Sequence, residues 1–204
     1  TGQAVQGSYT DTLAGIEVVI GSQGADTLTG NANRVNDYTR TYTPDILEGL
    51  AGADTIDGGS SAPSATAFVS YASAGSGVTV NLGSGFATND GYGATDTLSN
   101  IDGVIGSAGN DSLTGGSTSS QITAYGQFEH FEGGLGNDTI DGGTGGDRVS
   151  YQSNPGAVTV VLADGAAAGS ATETNVPGGT STDTLYNIEQ VRGSAYADTL
   201  TGNS

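Results

Sequence analysis

Residues 133–150 constrain the fold of this chain more than any other stretch. They read Gly133-Gly134-Leu135-Gly136-Asn137-Asp138-Thr139-Ile140-Asp141, followed directly by Gly142-Gly143-Thr144-Gly145-Gly146-Asp147-Arg148-Val149-Ser150. Both nonamers have the form G-G-x-G-x-D-x-U-x, where U is a large aliphatic residue. The glycines permit a tight turn with positive φ and close backbone approach. The short strand after the turn buries one aliphatic side chain. The aspartate closing the turn can aim a carboxylate at a hard cation, with turn carbonyl oxygens beside it. A flexible Gly/Asp-rich linker has no reason to keep an aliphatic residue in phase at the eighth position.

The internal repeat is longer than nine residues. Thr10-Asp11-Thr12-Leu13 recurs as Thr95-Asp96-Thr97-Leu98 and as Thr182-Asp183-Thr184-Leu185. Three related segments follow these copies, IEVVIGSQGADTLTGN (16–31), IDGVIGSAGNDSLTGG (101–116) and IEQVRGSAYADTLTGN (188–203). LEGLAGADTIDGG (47–59) matches FEGGLGNDTIDGG (131–143), and VSYASAGSGVTVNL (69–82) matches VSYQSNPGAVTVVL (149–162). The chain therefore divides into a partial unit 1–31, a full unit 32–116 and a full unit 117–204, forming one continuous solenoid. It starts and stops in mid-pattern and carries no signal peptide, so a longer array is expected around it.

The nonapeptide resembles that of the repeats-in-toxin (RTX) family of calcium-binding repeats, in which each nonamer is half a coil of a parallel β-roll. The resemblance implies an all-β chain: a right-handed parallel β-roll or β-helix with loop insertions and little or no helix. It implies Ca2+ as the cofactor, held between turns stacked on the same side. The ligands it implies are Asp26, Asp54, Asp111, Asp138, Asp147 and Asp198, each at the sixth position of a turn, with Asp11, Asp96 and Asp183 as a second set in turns poorer in glycine. A lone Asp in a turn is as well explained by a bond to its own backbone. A phased series is not. Asp57 and Asp141, at the ninth position, are expected to face solvent.

Composition agrees with a metal-stapled repeat. The formal charge is −18, from 22 acidic residues against 4 Lys and Arg, and there are 36 glycines and no cysteine. Such charge opposes a compact state unless cations neutralise it. Without disulfides, calcium would be the staple. The acidity argues against nucleic acid and anionic lipid, and no apolar run approaches the length of a membrane span.

Strand character is clearest at Tyr71, Val78, Val80 and Leu82 and at Tyr151, Val158, Val160 and Leu162, which alternate with period two. Gly83–Gly93 and Asp164–Gly179 are expected to be variable turns. Residues 32–46 and 117–130 break the pattern and are expected to bulge as loops carrying Tyr38, Tyr42, Tyr125, Phe128 and the single His130. Their aromatics could cover a sheet edge or contact glycan or a partner. In unit one, Ala67 stands where unit two has Asp147, so a cation held by Asp147 is not expected to have a counterpart there.

Catalytic machinery is hard to find. There is one His, no Cys and no G-x-S-x-G elbow, and the turn pattern absorbs most carboxylates. His130 beside Glu129 and Glu132 is expected to be a solvated loop edge. The expected function is structural and non-enzymatic: a calcium-dependent repeat segment of a secreted bacterial surface or matrix protein, such as an adhesin, surface layer or extracellular filament, folding outside the cell. Copies stacking head to tail would make a filament. The alternatives are a glycan- or partner-binding module, and an accessory block of a secreted enzyme.

Overall fold

A computed structural model describes residues 2–6, 9–13, 16–30, 44–59, 66–116, 129–163, 167–177 and 179–203, with side chains from residue 16 onward except that of Asn175. Tyr38, Tyr42, Tyr125 and Phe128 lie outside the described residues. Among the described residues every regular element is a strand, twenty in all. The chain is all-β, as the repeat implies.

Seven strands form one sheet in strict chain order: β3 (Val18–Ile20), β5 (Asp45–Glu48), β7 (Ala67–Ser70), β11 (Gly103–Ile105), β13 (Glu129–Glu132), β15 (Asp147–Ser150) and β19 (Gln190–Arg192). Every pairing in it is parallel. A parallel neighbour requires a crossover, and here the crossover is a single strand of a second sheet. β4 (Asp26–Thr29), β6 (Thr55–Asp57), β12 (Ser112–Thr114) and β14 (Thr139–Asp141) each lie between two strands of the first sheet in the chain, and β20 (Thr199–Thr201) follows the last of them. The result is a coil of two short strands and two turns, repeated.

The second sheet has thirteen strands and a less obvious order. In place of one crossover strand, unit one inserts β8 (Thr79–Asn81), β9 (Phe86–Asn89) and β10 (Asp96–Ser99), and unit two inserts β16 (Val158–Val161), β17 (Gly169–Val176) and β18 (Gly179–Tyr186). Each is an antiparallel meander that runs backwards along the stack. β8 pairs ahead with β12, and the third strand, β10, returns to pair with β6. β16 likewise pairs with β20, and β18 with β14. β1 (Gly2–Gln6) and β2 (Tyr9–Leu13) form a hairpin that joins this sheet antiparallel to β4. The stretches expected to be variable turns, 83–93 and 164–179, thus contain β9 and β17. Their small polar residues read as turn by composition. The structure pairs them on both sides with strands of the same meander, which strand propensity cannot foresee.

Period-two alternation on three-residue strands leaves one inward position each. Leu28, Ile56 and Leu98 stack in register, and so do Leu113, Ile140 and Leu185. They face Leu47, Val69, Val104, Phe131 and Val149 of the other sheet in one core cluster. Each is at most 5% exposed. One coil cannot shield its two aliphatics from water, whereas stacked coils can.

The two stretches read as loops end earlier than their composition suggests. Glu129 and His130 belong to strand β13. His130 is only 8% exposed, stacks on Phe68 with ring centroids 4.9 Å apart, and sits 3.4 Å from Glu132. It is a packed strand residue on the outer side of the first sheet, not a solvated loop edge. The two rings meet across Gly103, where a Cβ would strike Phe68.

Candidate metal sites

Of the position-six aspartates, all but Asp147 stand at the heads of strands of the second sheet, and the register stacks them into ladders. Asp26 precedes Asp54, which precedes Asp96; Asp111 precedes Asp138, which precedes Asp183. In each step one carboxylate oxygen accepts the backbone N–H of the residue one coil back. Asp54 Oδ1 accepts from Asp26 at 2.8 Å, Asp96 Oδ1 from Asp54 at 2.9 Å, Asp138 Oδ1 from Asp111 at 2.8 Å and Asp183 Oδ1 from Asp138 at 3.0 Å. Asp111 and Asp198 do the same for Val78 and Val158, each preceded in the register by a meander strand. The side chain thus continues the parallel ladder where the turn has withdrawn its own carbonyl, satisfying a buried N–H.

The first sheet carries a matching acidic edge on the other side of the stack. Asp147 Oδ1 accepts from Glu129 N–H at 3.2 Å, Glu189 Oε2 from Asp147 N–H at 2.8 Å, and Asp102 Oδ2 from Ala67 N–H at 2.9 Å. The register puts Ala67 between Asp45 and Asp102, the place Asp147 holds between Glu129 and Glu189. Glu129 and Glu189 were not among the expected site residues. Glu129 lies at the end of a long pattern break, and Glu189 in a segment without glycines.

The second carboxylate oxygen distinguishes the turns. At Asp54, Asp138 and Asp147, Oδ2 is buried and has no hydrogen-bond partner. In the turns of Asp26, Asp111 and Asp198 the second residue is Ser22, Ser107 or Ser194. Ser107 N–H donates to Asp111 Oδ2 at 2.7 Å and its hydroxyl to Oδ1 at 2.8 Å; Ser22 N–H donates to Asp26 Oδ2 at 2.5 Å; Ser194 donates its hydroxyl to Asp198 at 2.6 Å. Where position two is Gly134 or Leu50, φ is +96° or +67°, and this amide contact is missing. A leucine in that region is unusual and strained. Serine turns thus satisfy their aspartate with local hydrogen bonds, and turns with positive φ at position two leave its second oxygen bare. The two types stack in pairs, 21–26 against 49–54 and 106–111 against 133–138, with Gly52 and Gly136 pressed on the backbones of Gly24 and Gly109.

Glycine at position one has a different cause from positive φ. A Cβ on Gly106 would collide with both Asp111 Oδ2 and the Gly133 carbonyl oxygen of the next coil. The same pair of oxygens meets over Gly21 (Asp26 and Gly49) and over Gly115 (Glu129 and Gly142). Over Gly142 they come from Asp147 and Asn187. A carboxylate oxygen and a carbonyl oxygen from stacked turns repel each other unless a cation lies with them. Among the described residues no three acidic or histidine side chains converge. A cation here must therefore take backbone carbonyls, as hard oxygen-preferring ions do. The donor set fits calcium.

Ionisation follows from this crowding. Burial pushes Asp138 up to about 8, with Asp183, Asp111 and Glu173 adding to the shift. Burial, then Glu189 and Asp141, push Asp147 up to about 6. Burial raises Glu129 to about 7, reinforced by Asp147 and Asp102, and it also raises Asp54 and Asp111. At Asp198 the Ser194 hydroxyl and the Val158 and Ser194 amides outweigh burial and lower it.

The second set of candidates is placed differently. Asp96 and Asp183 have both oxygens engaged, one by the ladder amide and one by a tyrosine hydroxyl, Tyr71 at 3.0 Å and Tyr151 at 2.9 Å. The VSY segments and the TDTL segments of the sequence are thus joined in space. Asp11 lies on β2 opposite Ala4. Asp57 and Asp141 are half-buried rather than free in solvent, each accepting from an asparagine of the next coil, Asn100 or Asn187, at 2.7 Å.

Among curated proteins none matches the chain. A family model does: the RTX calcium-binding nonapeptide repeat matches in four copies, at residues 11–34, 41–62, 90–119 and 125–151. These copies hold the stacked turns of Asp26, Asp54, Asp111 and Asp138 and the turn of Asp147, and they amount to half of the chain, which therefore belongs to the RTX calcium-binding nonapeptide repeat family.

Proposed function

We propose that this chain is a structural, non-catalytic repeat segment of a secreted bacterial surface or matrix protein that orders when calcium binds between its stacked turns. The observation that carries the proposal is the meeting of a carboxylate oxygen and the next coil's carbonyl over Gly21, Gly106, Gly115 and Gly142. Asp26 with Asp54, Asp111 with Asp138, and Glu129 with Asp147 are the carboxylates next to these points. Calcium would supply the counter-charge that lets the buried acids ionise. Binding free energy then becomes folding free energy, because the turns exist only when coils stack. Extracellular modules bind calcium at roughly 10⁻⁴ to 10⁻³ M. Calcium outside the cell fills such sites and cytosolic calcium does not, which suits a chain exported unfolded.

The test is far-ultraviolet circular dichroism of the chelator-stripped chain during a calcium titration, with magnesium as control. A disordered spectrum that becomes β-rich with calcium and not with magnesium is expected. A chain already β-rich in chelator at neutral pH, and unmoved by calcium, would overturn the proposal.

A further inference from the structure

The two repeat units share turns and core but differ on the outer side of the first sheet. β7 pairs with β11 in unit one as β15 pairs with β19 in unit two. Both pairs set valine against valine on the core side, Val69 with Val104 and Val149 with Val191. The outward positions beside these valines are Phe68, Gly103 and Ile105 in unit one, and Arg148, Gln190 and Arg192 in unit two. The same strand pair forms with either set, so the fold does not demand arginine there. The chain has only 4 Lys and Arg, all of them arginine, against 22 acidic residues. Two of those four stand on these neighbouring strands.

The register brings them together. Arg148 lies opposite Gln190, and Ser150 opposite Arg192, so the two arginines are diagonal neighbours on one face. Arg148 donates from Nη2 to Gln190 Oε1 at 2.8 Å, which orients its fork. Burial, and then Arg192, disfavours the charged form of Arg148. Acidic side chains close by in the two strands and their neighbour have other partners. Glu132 takes the Ser150 and Ser153 hydroxyls and faces His130, and Glu189 takes the Asp147 amide. Arg192 is exposed and forms no ion pair among the described residues. Arg148, Gln190, Val191 and Arg192 line one open concavity of about 450 Å³, a volume in the range of small-ligand sites.

Like charges set side by side on a sheet oppose its pairing unless an anion joins them. A guanidinium fork matches a planar oxyanion with two oxygens. Gln190 adds an amide beside that position, and half-buried Val191 adds an apolar wall. A ring bearing hydroxyls and one carboxylate uses all three kinds of lining. A densely charged polymer does not suit the site, because two arginines are few and the −18 charge of the chain repels a polyanion.

We propose that Arg148, Gln190, Val191 and Arg192 form a binding site for a carboxylated sugar set among neutral sugars. Arg192 and the fork of Arg148 hold the carboxylate, and Gln190 positions Arg148. The site stands apart from the calcium reading: it needs the paired strands, and none of its four side chains is a proposed calcium ligand.

The test is titration calorimetry of the whole chain in saturating calcium. The ligands are the methyl glycosides of glucuronic and galacturonic acid, with the neutral methyl glucoside and galactoside and with acetate as controls. At least one uronate is expected to bind at one site per chain, and its neutral counterpart and acetate about tenfold more weakly or less. Arg192→Gln is expected to weaken the uronate about tenfold to a hundredfold, with the wild-type β-spectrum and the wild-type number of bound calcium ions. Arg192→Lys, which keeps the charge and loses the fork, should fall between the two. A wild type that binds neither uronate at millimolar concentration overturns the site. Acetate bound as tightly as the uronate means an adventitious ion only. Uronate binding that survives Arg192→Gln puts the carboxylate elsewhere, on calcium for instance, and overturns the site as well. So does self-association that Arg192→Gln abolishes without any uronate binding, because the hollow then receives an acidic side chain of a second copy. If Arg192→Gln alters the spectrum, Arg192→Lys decides.

Discussion

Asp111 donates its backbone N–H to Oδ1 of Asp138 at 2.8 Å, while the Asp111 carbonyl accepts the N–H of Thr139 at 2.9 Å. The two coils are thus held by a side chain and a main chain acting at the same residue. The structural half of this arrangement and its charge can be separated by substitution. Asp138→Asn keeps an oxygen acceptor and loses the charge; Asp138→Ala strands the buried Asp111 amide as well. In urea unfolding at saturating calcium, Asp138→Ala should be less stable than Asp138→Asn by about 1–3 kcal/mol, the cost of an unsatisfied buried donor. Both should bind less calcium. Equal stability of the two would show that the ladder bond contributes nothing.

The position-one glycines are held by oxygen atoms rather than by φ. Gly106→Ala should lower stability by about 1–3 kcal/mol, the usual range for overpacking, and should weaken calcium binding, because the methyl group displaces Asp111 Oδ2 or the Gly133 carbonyl. Gly75→Ala is the control. Nothing lies within 4 Å of the Cβ it would gain, so it should shift stability by no more than about 0.5 kcal/mol. Thermal unfolding of both variants in calcium checks this, and similar losses in both would refute the steric account.

Much of the coil was legible because its signals are local. Asp138, Ile140 and Asp147 announce a turn, an inward residue and a ligand within nine positions, and the structure places Ile140 in the core and both aspartates at strand heads. The first strands of the meanders, at Val80 and Val160, were legible by alternation, and the middle strands were not. Phe86–Asn89 has no period that separates it from a turn, and its pairing with β8 and β10 is set by tertiary register. The partnership of Tyr151 with Asp183 spans 32 residues, and only the fold reveals why the VSY and TDTL segments recur together. The role of serine at position two was visible as a departure from the pattern. Its meaning, an amide and a hydroxyl turned onto the same aspartate, needed coordinates.

Tyr151 and Tyr71 follow from that long-range pairing. Tyr151 is 3% exposed and its hydroxyl donates to Asp183 Oδ2. Burial, with Asp183 beside it, holds the phenol well above its ordinary range, so it donates at any physiological pH. Tyr151→Phe leaves the ring packing intact and removes a bond to a charged group. It should cost about 1.5–3 kcal/mol, as should Tyr71→Phe in unit one. The two lie in separate repeat units, so their effects on the urea midpoint should add. A loss that vanishes when calcium is replaced by acid would mean that the hydroxyl matters only to ionised Asp183.

Acid should substitute for calcium. The buried carboxyls are raised in the folded state, Asp147, Asp96 and Asp183 to about 6, Glu129 and Glu173 to about 7, and Asp138 to about 8, chiefly by burial. A folded pKa above the unfolded value means that the folded state binds the extra proton. Stability from these groups is therefore fully present below the unfolded carboxyl range, near about pH 4, and is lost as pH rises through about 6 to 8. Without metal, the chelator-treated chain should show its strongest β-spectrum near about pH 4 and lose it on neutralisation. With calcium the trend reverses, because the ion competes with protons for the same oxygens and its affinity grows as they leave. The curves with and without calcium should converge at acid pH and separate most near about pH 8. The measurement is circular dichroism against pH in chelator and in millimolar calcium. A metal-free chain that unfolds on acidification instead would mean that the buried carboxylates are stabilised as anions, contrary to their lack of basic partners among the described residues.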